Sequence, residues 1–384
     1  MSSAEAGAAL ATGWRSRRPD DDLAVVPFGA SGAGLAEAYA ELSGVPLGLL
    51  PSGEPTPSGE PTPRGAAVTD PGRHPAPGGR TAPGQTLLLE VATPDTVLVG
   101  VETAAPQGGT GLDTSRDASS RAWGEAIVRA VSGRGHVGTL VVDLGGCSAR
   151  DGGAGLLGAL GGAADVPLDR GVAGLAGITT LDLTAARRTL AGVDRLVAVV
   201  PARQADRVLL GMQGVTSLHG AALREEGLPW DPADLLAADA SLGRLAALAA
   251  PGFTDAPGLG ACGGVASGLA ALGAAVMSGS EWLAGEADLR ATLGAADVIV
   301  TGTGAYDFAH RGGETVGTVV ELAAAAMRPV VAVAAFVTIS AREMRAHGLE
   351  AAYAVREGVP GQTVDVTPED LVRMGKRVAG TWAG

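Results

Sequence analysis

Short runs of apolar residues recur along the chain and alternate with longer, alanine-rich segments. The apolar runs are continuous rather than interleaved with polar residues, which is typical of strands whose sheet is covered on both faces. Such strands occur mainly in parallel sheets flanked by helices. The pattern therefore predicts an α/β fold, with candidate strands at 23–28, 86–92, 139–144, 195–200, 297–302 and 329–336.

The alanine-rich segments between these runs predict the helices of the fold. In a parallel sheet the carboxyl ends of neighbouring strands share one edge, and ligands bind beyond that edge. The loops that follow the candidate strands are therefore where functional residues are expected. The candidate helices cover 3–17, 33–42, 117–132, 153–163, 231–249, 264–278, 286–295, 314–327, 340–347 and 367–378.

Residues 51–84 differ in composition from the rest of the chain. Nearly half of them are proline or glycine, and the hexapeptide PSGEPT occurs there twice in tandem. A segment of this kind buries too little apolar surface to offset the entropy lost on ordering. We predict a disordered insert between two folded parts.

Charge and composition narrow the class of ligand. The formal net charge is −13, without a basic tract, which argues against a nucleic-acid partner. Aromatic residues make up 3% of the chain, which leaves little for base stacking. The longest apolar run, at 329–339, is about half the roughly 20 residues of a membrane span. We expect a cytoplasmic protein with a small-molecule substrate and no membrane partner, in which Cys147 and Cys262 are reduced and structural.

Glycine-rich stretches stand at four places where a ligand could approach the backbone. Glycine permits positive φ and close contact, and the first N–H groups of a following helix attract anions, so a phosphate is the natural guest. The alternative is that the glycines serve only the geometry of strand-to-helix turns. The stretches are GASGAG (29–34), GGCSARDGGAG (145–155), GLGACGG (258–264) and TGTGAYD (301–307).

Common catalytic motifs do not narrow the function further. The chain has neither the G-x-x-x-x-G-K-[ST] phosphate loop nor a G-x-S-x-G elbow. Its histidines lack metal-ligand spacing, and His219 and His310 are predicted in loops as ordinary hydrogen-bonded imidazoles. The G-x-G-x-x-G spacing at 258–263 follows PGFTDAP rather than a strand, so an NAD-type oxidoreductase lacks its structural context.

The order of several blocks resembles the family I glycerate kinases. The stretch DLGGCSARDGGAGLLGALG is similar to the family's G-G-S-A-T-N-D-G-G-A-G block and its following helix. ASSRAWGEAIVRAV is similar to the T-G-E-L-I helix, GACGGVASGLAALGA to the G-A-A-G-G-L helix, and AADVIVTGTGAYD to A-D-L-V-I-T-G-E-G-x-x-D. With both chain ends, the resemblance covers nearly everything except the 51–84 insert.

The resemblance implies a two-domain α/β protein. A discontinuous Rossmann-like domain would comprise 1–50 and 285–384, and 85–284 would form a second α/β domain. The active site would lie in the cleft between them and transfer the γ-phosphoryl group of ATP to the 2-hydroxyl of D-glycerate, with Mg²⁺ as cofactor. Assembly into a homo-oligomer stays open.

The resemblance also implies roles for individual residues. Arg150 would contact phosphate or the glycerate carboxylate, and Asp151 would hold Mg²⁺ or orient the hydroxyl. Asp307 would face both across the cleft. Backbone N–H groups around Gly152 and Gly153 would cradle anion oxygens, within a phosphate- and substrate-binding set of Gly145, Gly146, Ser148, Gly152, Gly153, Gly302 and Gly304.

Charged positions of the family pattern are replaced in this chain. Alanine or threonine stands at family acids and at a family arginine, at Ala30, Ala33, Thr303 and Ala305. Two hypotheses follow. In the first, the chain is a kinase in which Arg203 or Arg311 replaces a lost lysine. In the second, it is a catalytically inactive family member that binds a ligand or another subunit, with Arg150 and Asp151 as a surface ion pair.

Overall fold

The computed structural model describes residues 1–51, 86–103, 116–308, 310–357 and 365–382. The chain forms two compact units, each described by itself below. Unit 1 comprises Met1–Ala30, Glu37–Leu42 and Ser280–Gly384, and unit 2 comprises Ser31–Ala36 and Ser43–Gly279. The insert predicted at 51–84 lies outside the described residues, except for Pro51.

Unit 2 is built on a sheet whose strand order is β1-β2-β3-β4-β7-β8. β1, β2 and β3 pair antiparallel, whereas β3, β4, β7 and β8 pair in parallel. A small antiparallel pair joins β5 to β6. The strands are β1 (Gly48–Pro51), β2 (Thr86–Ala92), β3 (Thr96–Thr103), β4 (Val137–Asp143), β5 (Ala163–Ala164), β6 (Leu181–Asp182), β7 (Val193–Val200) and β8 (Ala275–Ser278).

The central strands of this sheet are covered on both faces. Leu140, Val141 and Val142 of β4 have no exposed surface, and neither do the residues 197–200 of β7. This is the burial that continuous apolar runs predict. The helices and 3₁₀ turns of this unit are α3 (Arg121–Val131), α4 (Ala154–Ala159), α5 (Gly171–Gly174), α6 (Thr184–Thr189), the turn Ala202–Gln204, α7 (Val215–Glu225), α8 (Pro232–Ala249), the turn Ala261–Gly264 and α9 (Val265–Ala270).

Unit 1 contains a parallel sheet of order β11-β10-β9. Its strands are β9 (Ile299–Tyr306), β10 (Val330–Val337) and β11 (Ala351–Ala354). The helices are α1 (Ser3–Arg15), α10 (Gly279–Glu286), α11 (Leu289–Ala295), α12 (Gly313–Ala325), α13 (Ala341–Ala346) and α14 (Pro368–Trp382), and α2 (Ala33–Ser43) has residues in both units. No helix in the described part of the chain has the length and hydropathy to cross a membrane.

Helices α1 and α14 pack backbone to backbone at two glycines. A Cβ atom on Gly13 would lie 1.9 Å from the carbonyl oxygen of Val372, and one on Gly375 would lie 2.1 Å from that of Leu10. Only glycine permits this approach. The pair buries Trp14 and Val378 with the outer face of β10, which fixes the chain's two end helices on one sheet.

The prediction of an α/β fold with a parallel sheet is confirmed, but several elements differ. The predicted strand at 23–28 is wrong, because those residues form no ladder. The predicted helix at 264–278 ends at Ala270, and β8 follows it. The stretch TGTGAYD belongs largely to β9 rather than to a loop, and His219 lies on α7 rather than in a loop.

Candidate active site

A buried carboxylate ends the central strand β4. Asp143 is 2% exposed, and its Oδ2 and Oδ1 accept hydrogen bonds from the N–H groups of Gly32 (2.8 Å) and Gly145 (2.9 Å). The indole N–H of Trp123 donates to its carbonyl oxygen at 2.9 Å. Asp143 therefore fastens the 29–34 loop to the carboxyl edge of the sheet. Our sequence reasoning missed it, although a charged residue at the end of an apolar strand was a usable signal.

The predicted phosphate-binding glycines 145 and 146 pack against backbone. A Cβ atom on Gly145 would lie 2.4 Å from the nitrogen of Gly32, and one on Gly146 would lie 2.6 Å from the carbonyl oxygen of Val101. Both positions exclude any side chain because other chain segments press on them. Ser148, in the same loop, is exposed.

Asp151 is enclosed by hydrogen-bond donors. The residue has no exposed surface. Its Oδ2 accepts from the backbone N–H of Ser120 (2.8 Å), the hydroxyl of Ser120 (2.9 Å) and the N–H of Gly155 (3.0 Å), while Oδ1 accepts from the N–H of Gly153 (3.0 Å). Burial raises the pKa of this carboxyl, and the four donors oppose that shift. The surface ion pair of the second hypothesis is wrong, because Asp151 is buried.

The protein's own acceptors occupy the predicted phosphate cradle. The N–H of Gly152 donates to the carbonyl oxygen of Gly263 at 3.2 Å, and that of Gly153 donates to Asp151. The N–H of Gly145 donates to Asp143, so all three of these glycine N–H groups are bonded to acceptors within the protein. The 145–155 loop therefore forms a tightly packed connection between β4 and α4.

Arg150 lines a cavity, whereas the neighbouring Asp151 is not part of the wall of that cavity. The cavity has a volume of about 300 Å³, and Arg150 lines it together with Arg116 and His219. Arg116 forms an ion pair with Asp234, with 2.8 Å between its Nη1 and the Asp234 Oδ1. The wall also includes Val172, Thr216, Leu223, Pro229, Trp230, Asp231, Leu235 and Ala238. The sequence singled out Arg150 but not Arg116, Thr216 or Trp230.

Helices α7 and α8 form much of the cavity wall. Asp231 caps α8 by accepting the N–H of Ala233 at 2.8 Å, and Pro232 follows it at the first helical position. Thr216, 6% exposed, donates its hydroxyl to Asp239 of α8 at 2.9 Å, which fixes α7 to α8 beside the cavity. Gly220 lets Leu235 pack closely, since a Cβ there would lie 2.3 Å from the Leu235 Cδ1.

Three predicted site residues, Gly302, Gly304 and Asp307, lie in unit 1. Gly302 and Gly304 belong to β9, and Gly302 pairs with Val333 of β10. Asp307, 9% exposed, follows β9 and accepts the N–H of His310 at 2.7 Å. Arg311, one of the two candidate replacements for a lysine, has a positive φ of 49° and lies over the Phe308 ring. The other, Arg203, is exposed in the 3₁₀ turn after β7.

The described residues contain no cluster that would hold a metal ion through protein ligands alone. No group of three or more His, Cys, Asp or Glu side chains among the described residues is placed to hold a metal ion. Both oxygens of Asp151 and both of Asp143 accept hydrogen bonds from the protein. The conformation described here therefore supports no assignment of a step to Mg²⁺.

Both cysteines lie in glycine-rich loops of unit 2 and are free. We expect Cys262, studied alone in a Cys147→Ser variant, to react with iodoacetamide at pH 8 roughly a hundredfold more slowly than an exposed thiol. Burial raises the pKa of Cys262 to about 12, which leaves little thiolate at that pH. Mass spectrometry over time, with and without urea, measures the rate. Rapid labelling of the folded protein would contradict the buried placement.

Known proteins with similar sequences point to one family. The glycerate kinase family profile matches residues 1–383. Uncharacterized proteins of Mycobacterium bovis and Mycobacterium tuberculosis are each 30% identical over 364 residues, which cover 93% of this chain and 81% of each relative. The glycerate kinase of Bacillus subtilis is 27% identical over 252 residues, which cover 63% of this chain and 62% of that protein.

A solved structure agrees with the fold. The crystal structure of a Salmonella typhimurium LT2 protein, provisionally assigned as glycerate kinase 2, matches with a TM-score of 0.71 and 22% identity. The match covers 99% of this chain and 94% of that chain, which supports the α/β architecture. With the profile spanning residues 1–383, this chain belongs to the glycerate kinase family.

Proposed function

We propose that this protein binds a small hydroxy acid of the glycerate type in the Arg150 cavity and phosphorylates its 2-hydroxyl with ATP. The observation that carries the proposal is the convergence of Arg150, Arg116 and His219 on one cavity. A guanidinium binds a carboxylate through paired, charge-assisted hydrogen bonds. Membership of the glycerate kinase family and the similarity to a relative named glycerate kinase support the reaction class.

The cavity offers a partner to each polar group of such an acid. Arg150 binds the carboxylate, and the carboxylates of Asp231 and Asp234 accept hydrogen bonds from hydroxyl groups. His219 is the side chain in the cavity wall suited to accept the proton of the 2-hydroxyl as its oxygen attacks the γ-phosphorus. The products are the phosphorylated acid and ADP.

The second candidate function is that of a family member that binds the acid but no longer phosphorylates it. The glycine-loop N–H groups and the carboxylates of Asp143 and Asp151 serve the fold rather than an open phosphate site. A protein of this kind would hold the acid without transferring phosphate. The two candidates share the Arg150 cavity and differ in turnover.

One pair of assays separates these candidates. ADP release is measured with ATP, Mg²⁺ and D-glycerate, and acid binding is measured by titration calorimetry. Arg150→Gln is expected to weaken binding roughly 10- to 100-fold, because a charge-assisted pair contributes about 1.5–3 kcal/mol. Arg187→Gln, an exposed arginine on α6 outside the cavity wall, is the matched control and should bind like the wild type.

Each outcome has a defined meaning. Glycerate-dependent ADP release that falls in Arg150→Gln supports the kinase. Binding that depends on Arg150 without ADP release supports the inactive family member. Equal binding by the wild type and Arg150→Gln, or none by the folded wild type, contradicts an acid site at this cavity.

A further inference from the structure

The Arg150 cavity is larger than glycerate requires. At roughly 30 Å³ for each water-sized group, its volume of about 300 Å³ accommodates about ten such groups. Glycerate is a three-carbon acid and would leave much of that space to water. A ligand that fills this space is larger than glycerate.

The additional space is lined by apolar side chains. Val172, Leu223 and Ala238 are almost fully buried, at 7%, 6% and 8% exposed, and belong to the wall together with Leu235. They form a surface opposite in character to the polar group of Arg116, Arg150 and His219. A wall of this kind favours the apolar part of a ligand, since burying it releases water from both surfaces.

Trp230 completes the apolar wall. It is 44% exposed, in a chain whose aromatic content is 3%. Pro229 precedes it, and Asp231, the N-cap of α8, follows it. A partly exposed indole provides a large contact area at small entropic cost, because its side chain has few rotatable bonds.

We propose that the preferred ligand of this site is a 2-hydroxy acid with a branched aliphatic or aromatic substituent in place of the hydroxymethyl group of glycerate. The carboxylate binds Arg150, and the substituent packs against Trp230 and the apolar wall of α7 and α8. This assignment rests on the proposed function, because it uses the same carboxylate site. It differs from that function in what fills the rest of the cavity.

The test compares D-glycerate, D-2-hydroxyisocaproate and D-phenyllactate as calorimetric ligands of the full chain. Each buried methylene is worth about fourfold in affinity, so both larger acids are expected to bind at least tenfold more tightly than D-glycerate. Trp230→Ala should weaken phenyllactate binding at least tenfold and glycerate binding less than twofold. Leu236→Ala, 71% exposed on α8 and outside the cavity wall, is the matched control and should change neither.

A second variant tests the cavity without removing a side chain. Ala238→Met adds volume inside the wall and should weaken binding of the larger acids while D-glycerate still binds. D-Glycerate binding at least as tightly as the larger acids, or an equal effect of Trp230→Ala on all three, overturns the inference. If D-glycerate binds through Arg150 and the larger acids do not, only this inference fails. If no acid binds the folded protein, the proposed function fails with it.

Discussion

Replacing Asp151 with alanine is expected to lower the free energy of unfolding by roughly 3–5 kcal/mol. The change removes the acceptor of four hydrogen bonds in a place without exposed surface. The N–H groups of Ser120, Gly153 and Gly155 would stay buried without a partner, and each such donor carries its own desolvation cost. Urea unfolding followed by circular dichroism measures the loss.

Two further variants distinguish this mechanism from a general effect of removing an acid. Ser120→Ala deletes one of the four donors together with its hydroxyl contact to the N–H of Leu156, and should cost roughly 1–2 kcal/mol. Asp165→Ala is the matched control, because Asp165 also accepts several hydrogen bonds, from Thr179 and Thr180, but is exposed. Water replaces it there, so a smaller loss is expected. If Asp151→Ala and Asp165→Ala lower the free energy of unfolding equally, the buried hydrogen bonds of Asp151 do not have the stabilising role described.

The four hydrogen bonds to Asp151 change how activity data on this residue should be interpreted. A loss of activity in Asp151→Ala is expected from the disrupted packing between β4 and α4 alone, so it would not by itself show that this carboxylate contacts a substrate. Arg150 is the neighbouring residue whose side chain lines the cavity. Substitution of Arg150 therefore tests the site, and substitution of Asp151 tests the fold.

The strand pattern was predictable where a strand is buried on both faces. The apolar runs at 139–144 and 195–200 correspond to β4 and β7, whose side chains are buried on both faces of the sheet. The run at 23–28 has similar composition but pairs with no strand, and the N–H of Phe28 donates to the hydroxyl of Ser3 instead. Apolar composition cannot specify a ladder, because strand propensity depends on the neighbour that supplies the hydrogen bonds.

The candidate site was predictable only in part. The glycine-rich motif located the loop and Arg150, but what the glycines approach depends on segments distant in sequence. A Cβ atom on Gly145 would collide with the 29–34 loop, and one on Gly152 would meet the side chains of Leu242 and Leu245 on α8. The cavity wall joins Arg116, α5, α7 and α8, and no local pattern relates these segments. Close packing inside the protein and phosphate binding leave the same glycine signature in a sequence.

Gly263→Ala is expected to lower the free energy of unfolding by roughly 2–4 kcal/mol. Gly263 has a φ of +66°, which an alanine adopts at a cost of about 1–2 kcal/mol. Its Cβ would also lie 1.8 Å from the carbonyl oxygen of Ala149 and 2.7 Å from the Cα of Arg150. Both atoms are backbone, so no side-chain rotation relieves the overlap, and the two loops must separate.

The separation should also affect the cavity, because Arg150 is displaced with its backbone. Urea unfolding and calorimetric binding of the acid are therefore both expected to change in Gly263→Ala. Gly273→Ala is the matched control: its φ is +97° and nothing lies within 4 Å of the added Cβ. Gly273→Ala introduces the strain of a positive φ but no steric overlap. Its free energy of unfolding should fall by about 1–2 kcal/mol, and its binding of the acid should be unchanged. If the two variants lose the same stability, the contact between the 145–155 and 258–264 loops is looser than the structure shows, and the position of Arg150 does not depend on it.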